Sequence, residues 1–271
     1  MADLKGIVQG LGECVNELLG DELVEGINDP YIFKAIFTAG GPGSGKSFIA
    51  KQMFSGTGMK FSNSDAPFEY LLKKRGLSFK IDPTKEKMFA KQGQARGRAK
   101  ELSGGRQAMW IDGMLGIVID GTGKDYKKIT KQAAKFKAAG YDVGMVFVNT
   151  SLKVAQQRNR DRARSVPDEI VEKGWRQVQS NMGRFQRFFG PKNFYIVDNS
   201  KALNKAEIQK LGRTLRRYAL NWAGKPIANP VGKDIVDKLR STGGKTMADL
   251  RAATQLAADK HWEFIGTCLM E

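Results

Sequence analysis

Residues 40–47 read Gly40-Gly41-Pro42-Gly43-Ser44-Gly45-Lys46-Ser47. A short apolar run, Tyr31-Ile-Phe-Lys-Ala-Ile-Phe-Thr38, lies just before them, and Phe48-Ile-Ala-Lys-Gln-Met-Phe54 follows. The leading run is rich in β-branched and aromatic residues, as a buried strand requires. The trailing one continues as a helix. Strand, glycine-rich turn and helix in this order make a phosphate trap, the Walker A loop. Its glycines let backbone N–H groups converge on an anion, and the helix N-terminus adds partial positive charge. The nucleotide-binding set is then Gly40, Gly41, Gly43, Ser44, Gly45, Lys46, Ser47 and Phe48. Lys46 is expected to reach the β- and γ-phosphates, and the Ser47 hydroxyl to ligate Mg²⁺. The stretch implies a nucleoside triphosphate site.

Outward from this loop, strand and helix patterns alternate from residue 31 to about 222. The implied fold is α/β, a P-loop NTPase-type parallel sheet with helices on both faces and helical terminal extensions. Further strands are expected at 59–62, 115–119, 143–148 and 193–197. Each ends in polar residues: Asn63-Ser64-Asp65, Asp120-Gly121-Thr122-Gly123, Asn149, and Asp198-Asn199-Ser200. Ligands bind at that edge of open parallel sheets. From Val171 a stripe of Trp175, Val178, Met182, Phe185 and Phe189 recurs at helical spacing and reads as core. Ser165–Asp168 looks like the capping box that starts this helix. The domain plan is an N-terminal helical extension (1–28), a P-loop domain (29–222) and a linker with a C-terminal helix (223–271). The Gly-, Pro- and Asn-rich 222–245 reads as linker or extended arm, followed by a final helix from about 246 to 265.

Within the central domain, residues 70–106 form an insertion with eleven Lys or Arg against three acids, and glycines at 93, 97, 104 and 105 weaken its helical pattern. It reads as either a solvated face or a substrate-docking surface. Over the whole chain, 45 Lys and Arg against 28 Asp and Glu give a formal charge of +17. Such an excess favours polyanionic partners and salt-sensitive association. No run approaches a transmembrane span. The N-terminus carries Asp3, Glu13 and Glu17 and does not resemble a signal peptide. Cys14 and Cys268 lack metal-type spacing, so a reduced, cytoplasmic protein is expected. The oligomeric state is not legible.

The only histidine is His261, so a general base near the nucleotide is expected to be a carboxylate. Asp65, nineteen residues past Lys46 at a strand tip, is the candidate base for an attacking hydroxyl. The residue also fits an N-cap for the helix that follows, a role compatible with the first. Asp120 stands where motor ATPases place an Asp followed by a Glu, but Gly121 follows it here. Phosphate transfer to a bound acceptor is favoured over hydrolysis. Asp120 is assigned either to the Mg²⁺ shell or to the acceptor hydroxyl, with Thr122 beside it. Arg158, Arg160, Arg162 and Arg164 alternate along a short run and read as a lid over the triphosphate, where guanidinium groups neutralise phosphoryl charge.

The ordered set GGPGSGKS, SNSD, IDGTG, VAQQRNRDRARSVPDEIV and VDNS resembles the zeta-toxin and polynucleotide-kinase branch of P-loop kinases over roughly residues 30–200. The resemblance implies an ATP- and Mg²⁺-dependent kinase with Asp65 as catalytic base and Arg158 and Arg162 as phosphate clamps. Zeta toxins carry Glu where Asp120 stands. The charge directs the first expectation to the 5′-hydroxyl of a nucleic acid. The alternatives are a kinase of a UDP-amino sugar and an ATP-binding nucleic-acid interaction protein without turnover.

Overall fold

The computed structural model describes residues 26–79, 84–161, 166–201 and 205–244. Strands β1 (Lys34–Ala39), β2 (Lys60–Ser62), β3 (Ile117–Asp120), β4 (Asp142–Asn149) and β5 (Phe194–Asp198) form one sheet in the order β2-β3-β1-β4-β5. Every pairing is parallel, with Thr38 opposite Asp120. Parallel pairing demands crossover helices, and these leave both faces covered. All six residues of β1 are accordingly buried.

The helices divide between the two faces. On one, α1 (Lys46–Phe54) and α7 (Lys205–Ala223) cover Ile36, Val118, Val146 and Val148 with Ile49, Met53, Leu215 and Trp222. On the other, the alternate residues Phe37, Ile119, Met145 and Phe147 meet four helices. These are the C-terminal end of α3 (Glu86–Asp112), α4 (Tyr126–Ala138), α6 (Asp168–Phe189) and α8 (Pro230–Thr242). The P-loop NTPase-type α/β architecture expected from the sequence is therefore present. Two shorter helices, α2 (Asp65–Lys74) and α5 (Leu152–Arg160), start close to the carboxyl ends of β2 and β4.

Three expectations need correction or restriction. Residues 230–242 are a helix, not a linker. Ile235, Val236 and Leu239 sit in the core, Asn229 caps Val231 N at 3.0 Å, and Pro230 takes the first helical position, where its missing N–H costs nothing. The glycines of the basic insertion do not interrupt α3, which runs unbroken through Gly93, Gly97, Gly104 and Gly105. Each costs about 1 kcal/mol of helix propensity, and packing of Ala95 and Ala99 against Phe68 and Leu72 of α2 holds the helix in place. In the α6 stripe Val171, Val178, Phe185 and Phe189 are core, whereas Trp175 and Met182 are only partly buried. Ser165 of the capping box, Cys14, Cys268, His261, residues 1–25 of the N-terminal extension and the final helix at 246–265 lie outside the described residues.

At the amino edge of the sheet, Lys34 is 3% exposed and its ammonium lies 2.7 Å from Asp142 Oδ2. Asp142 also accepts from Ala228 N at 2.9 Å and Asn229 N at 2.8 Å, so one carboxylate fastens the approach to α8. Asp142→Ala leaves a buried ammonium and two backbone donors without this acceptor. It is expected to lower unfolding stability by about 3 kcal/mol, measured by urea denaturation, with nucleotide affinity unchanged because the nucleotide loop lies at the opposite edge. A loss below about 1 kcal/mol would contradict this.

Candidate phosphotransfer site

The loop between β1 and α1 is shaped by two left-handed glycines, Gly43 at φ 74° and Gly45 at φ 78°. A Cβ at Gly43 would strike the Ala155 carbonyl of α5, and one at Gly45 the Asn199 amide, so both positions need glycine for space as well as for conformation. Gly45 is also the N-cap of α1. No side chain caps this helix and no acid lies in its first turn, which leaves its N-terminal N–H groups for an anion. The Ser44 hydroxyl oxygen is buried in the same loop without a hydrogen-bond partner. Uncapped donors and an orphaned hydroxyl fit a bound phosphate chain.

Behind the loop, Asn199 Nδ2 donates to Ser44 O at 2.7 Å. Asn199 O accepts from Arg158 Nη1 at 2.9 Å and from Thr150 Oγ1 at 3.0 Å. Arg158 Nη2 adds a bond to Lys201 O at 3.3 Å. Arg158 is thus held beside the loop by the turn after β5. Trp175 packs against Gly41 and donates to Thr150 O at 2.7 Å, closing the loop's outer side.

Asp120, at the end of β3, collects four side-chain donors. Lys46 Nζ lies 2.6 Å and Thr38 Oγ1 3.0 Å from its Oδ1. Asn63 Nδ2 lies 2.9 Å and Ser47 Oγ 3.3 Å from Oδ2. Parallel register explains the convergence, since Thr38 is Asp120's sheet partner and Lys46 opens the helix that follows β1 across the glycine-rich turn. Asp120 and the Ser47 hydroxyl are adjacent hard oxygen donors, the kind Mg²⁺ takes together with substrate phosphates. Of the two roles expected for Asp120, this placement favours the cation shell.

Asp65 opens α2, with Ser64 rather than Asp65 at the N-cap position. Its N–H donates to Asn63 Oδ1 at 2.6 Å, so Asn63 bridges Asp65 and Asp120. The Asp65 carboxylate is met by Arg96 Nη1 of α3 at 2.6 Å. Beside these groups opens a cavity of about 290 Å³. Asp120, Gly121 and Thr122 line its floor, Ser64 its rim, Lys100, Ser103 and Gln107 one wall and Lys128 and Gln132 the other. Gln107 donates to Ser62 Oγ at 2.9 Å and accepts from Gln132 at 3.2 Å, tying the walls to β2. Thr122 O accepts from Gly40 N at 3.2 Å, which joins this floor to the P-loop.

The structure therefore brings together Lys46, Ser47, Asp120 and Thr122, with Arg158 on the loop's far side and Asp65 joined through Asn63. Phe48 is 43% exposed and offers the site its backbone only. Arg162 and Arg164 lie outside the described residues. Arg160 faces away, its guanidinium on Asp168 at 2.7 Å. Asn63, Asn199 and Trp175 are the site residues that motif reading passed over. The first two stand inside the SNSD and VDNS segments, where position after a strand end was the available signal.

A family model described as an AAA domain matches residues 36–185, more than half of the chain. No curated protein matches it. Among solved structures, one from the PezAT chromosomal toxin–antitoxin system of Streptococcus pneumoniae is 15% identical, with 77% of this chain and 95% of that chain covered and a TM-score of 0.46. The AvrRxo1-ORF1:ORF2 complex gives 16% identity, 84% and 80% coverage and 0.48. Shikimate kinase from Bacteroides thetaiotaomicron gives 16%, 68% and 97%, and 0.43.

Proposed function

The chain belongs to the AAA domain family, and on that premise we propose that it is an ATP-dependent phosphotransferase acting on a hydroxyl, with the 5′-hydroxyl of a nucleic acid as acceptor. The observation that carries this reading is a single cluster. Asp120 gathers Lys46 and Ser47 and itself lines a cavity together with Ser64, the residue before Asp65. One end of the cluster suits a triphosphate and the other an attacking hydroxyl.

In this scheme the N-terminal N–H groups of α1 hold the phosphate chain. Lys46 exchanges its bond to Asp120 for the β- and γ-phosphate oxygens, and Arg158 and Arg162 draw off equatorial charge. Ser47 and Asp120 would hold Mg²⁺, which neutralises phosphate charge when bound. Asp65 orients the acceptor hydroxyl and takes its proton. As the acceptor oxygen bonds to the γ-phosphorus, the bond from phosphorus to the β,γ-bridging oxygen breaks and ADP leaves.

The 290 Å³ cavity also favours a second reading, a small anionic acceptor such as a UDP-amino sugar, with Lys100 and Lys128 on its phosphates. Transfer of labelled γ-phosphate to 5′-hydroxyl oligonucleotides and to UDP-amino sugars, run in parallel, separates the two. Oligonucleotides are expected to be labelled, at a rate that collapses between 50 and 200 mM salt on the order of a hundredfold or more. Lys46→Ala serves as the inactive control. Labelling of the sugar alone would replace the first reading by the second. ATP binding without transfer to either acceptor would leave a nucleotide-binding interaction protein.

A further inference from the structure

The helical hairpin α2–α3 carries more positive charge than its fold uses. Across the described residues of 70–106, ten lysines and arginines face two acids, Glu86 and Glu101. Arg96 is spent on Asp65 and Arg98 on Glu101. Lys85, Lys87 and Lys91 are all exposed near the start of α3. Large apolar groups stand in water among them: Tyr70 is 50%, Phe79 42% and Phe89 45% exposed. Aromatic rings left outside the core and interleaved with cations are what single-stranded nucleic acid uses, bases stacking on the rings and phosphates on the charges.

Helical spacing gives the surface a direction. Phe89, Arg96, Lys100 and Gln107 recur at intervals of seven, four and seven residues and so lie along one face of α3. Lys100 and Gln107 line the acceptor cavity. The same face is sterically clear, for nothing beyond the helix's own backbone and adjacent residues lies within 4 Å of where a Cβ would stand on Gly93, Gly97 or Gly104. From Gln107 to Phe89 the helix rises about 27 Å at 1.5 Å per residue, a span of several nucleotides.

We infer that α3 is the track for a single-stranded nucleic acid whose end enters the cavity over Asp120 and whose bases, several nucleotides away, stack on Phe89. This rests on the reading of that cavity as the acceptor site, which gives the strand its direction. Phe79 follows Ser78, whose carbonyl accepts from Gln92 of α3 at 2.7 Å, and Lys85, Lys87 and Lys91 hold phosphates near the outer end of the track.

The test is fluorescence anisotropy of the full chain with a labelled 12-nucleotide single strand and the matching duplex across a salt series. The single strand is expected to bind with Kd of about 1 μM at low salt, weakening linearly on a log–log plot. Replacing Lys85, Lys87 and Lys91 together by Gln is expected to weaken binding at least tenfold and to flatten the salt slope by about 2, since each single-strand phosphate contributes about 0.7. Phe89→Ala is expected to weaken single-strand binding by roughly fivefold or more and to leave ATP affinity unchanged. An unaltered slope in the triple variant, or equal binding of duplex and single strand that ignores Phe89, would overturn the track. Phosphate transfer to a 5′-hydroxyl dinucleotide, too short to reach Phe89, keeps the two readings apart. Transfer to it without Phe89-dependent binding sinks the track alone. Phe89-dependent binding without transfer leaves the surface and sinks the kinase.

Discussion

Asp120→Ala is expected to reduce phosphate transfer by about a thousandfold, equivalent to roughly 4 kcal/mol of transition-state stabilisation, and to destabilise the nucleotide-free protein as well. The two effects share one cause. Lys46 and Asp120 are 14% and 8% exposed in their side chains and 2.6 Å apart, so removing the carboxylate leaves a largely desolvated ammonium unpaired. Asn63 loses this acceptor in the same stroke, and Thr38 keeps only the longer bond to Ile119 O at 3.4 Å. Breaking such a pair costs about 3 kcal/mol. Thermal unfolding without nucleotide is therefore expected to shift downward, by several degrees for a domain of this size. ATP is expected to recover part of the shift, because its phosphates give Lys46 a new partner. Asp120→Asn keeps the volume and some of the hydrogen bonds, so it is expected to retain more stability than the alanine while transfer stays low. Transfer in Asp120→Ala within tenfold of wild type would remove Asp120 from the reaction. The contrast with Asp142→Ala is informative, since both break a largely desolvated lysine–aspartate pair whose aspartate stands on the same sheet. Only the pair at the carboxyl edge is expected to change chemistry.

The P-loop and the acids after β2 and β3 were legible because their placement follows from local rules. A buried strand must end, a parallel sheet puts those ends on one edge, and glycine marks the turn that must take φ near 75°. The Asp120 cluster needed one fact beyond sequence, that β3 pairs with β1, and then Thr38, Lys46 and Ser47 converge without further assumption. The Asn199 bond to Ser44 was not legible, for it joins residues 155 apart through an asparagine that any polar turn might contain. Asn63 was hidden for a different reason. Its neighbour Asp65 carries the more obvious chemistry, while Asn63 makes the bond to Asp120. The helix at 230–242 was obscured by composition, since Gly, Pro and Asn dominate its surroundings, although Asn229-Pro230 is itself a helix start. In α3 the glycine propensities point away from a helix, and the Ala95–Ala99 face that packs on α2 outweighs them.

Asp65→Asn is expected to lower the rate of phosphate transfer by about 10²–10⁴-fold, the range a positioned general base contributes, while ATP affinity and melting temperature stay near wild type. Stability is expected to hold because the Asp65–Arg96 pair is exposed, 43% and 38% by side chain, and pairs so open to solvent contribute no more than about 1 kcal/mol. The competing view makes Asp65 an anchor that fixes α3 over the acceptor cavity. Arg96→Gln discriminates, since it removes the same ion pair and leaves the carboxylate. If Asp65 works through α3, both variants lose transfer alike, and the loss appears mainly as a higher KM for the acceptor. If Asp65 takes the proton, Arg96→Gln keeps kcat within about tenfold and Asp65→Asn does not, with acceptor KM little changed in the asparagine variant. The bridge through Asn63 supports the second outcome. It ties Asp65 N to the side chain that bonds Asp120, so the carboxylate remains registered on the phosphate end of the site when Arg96 is gone.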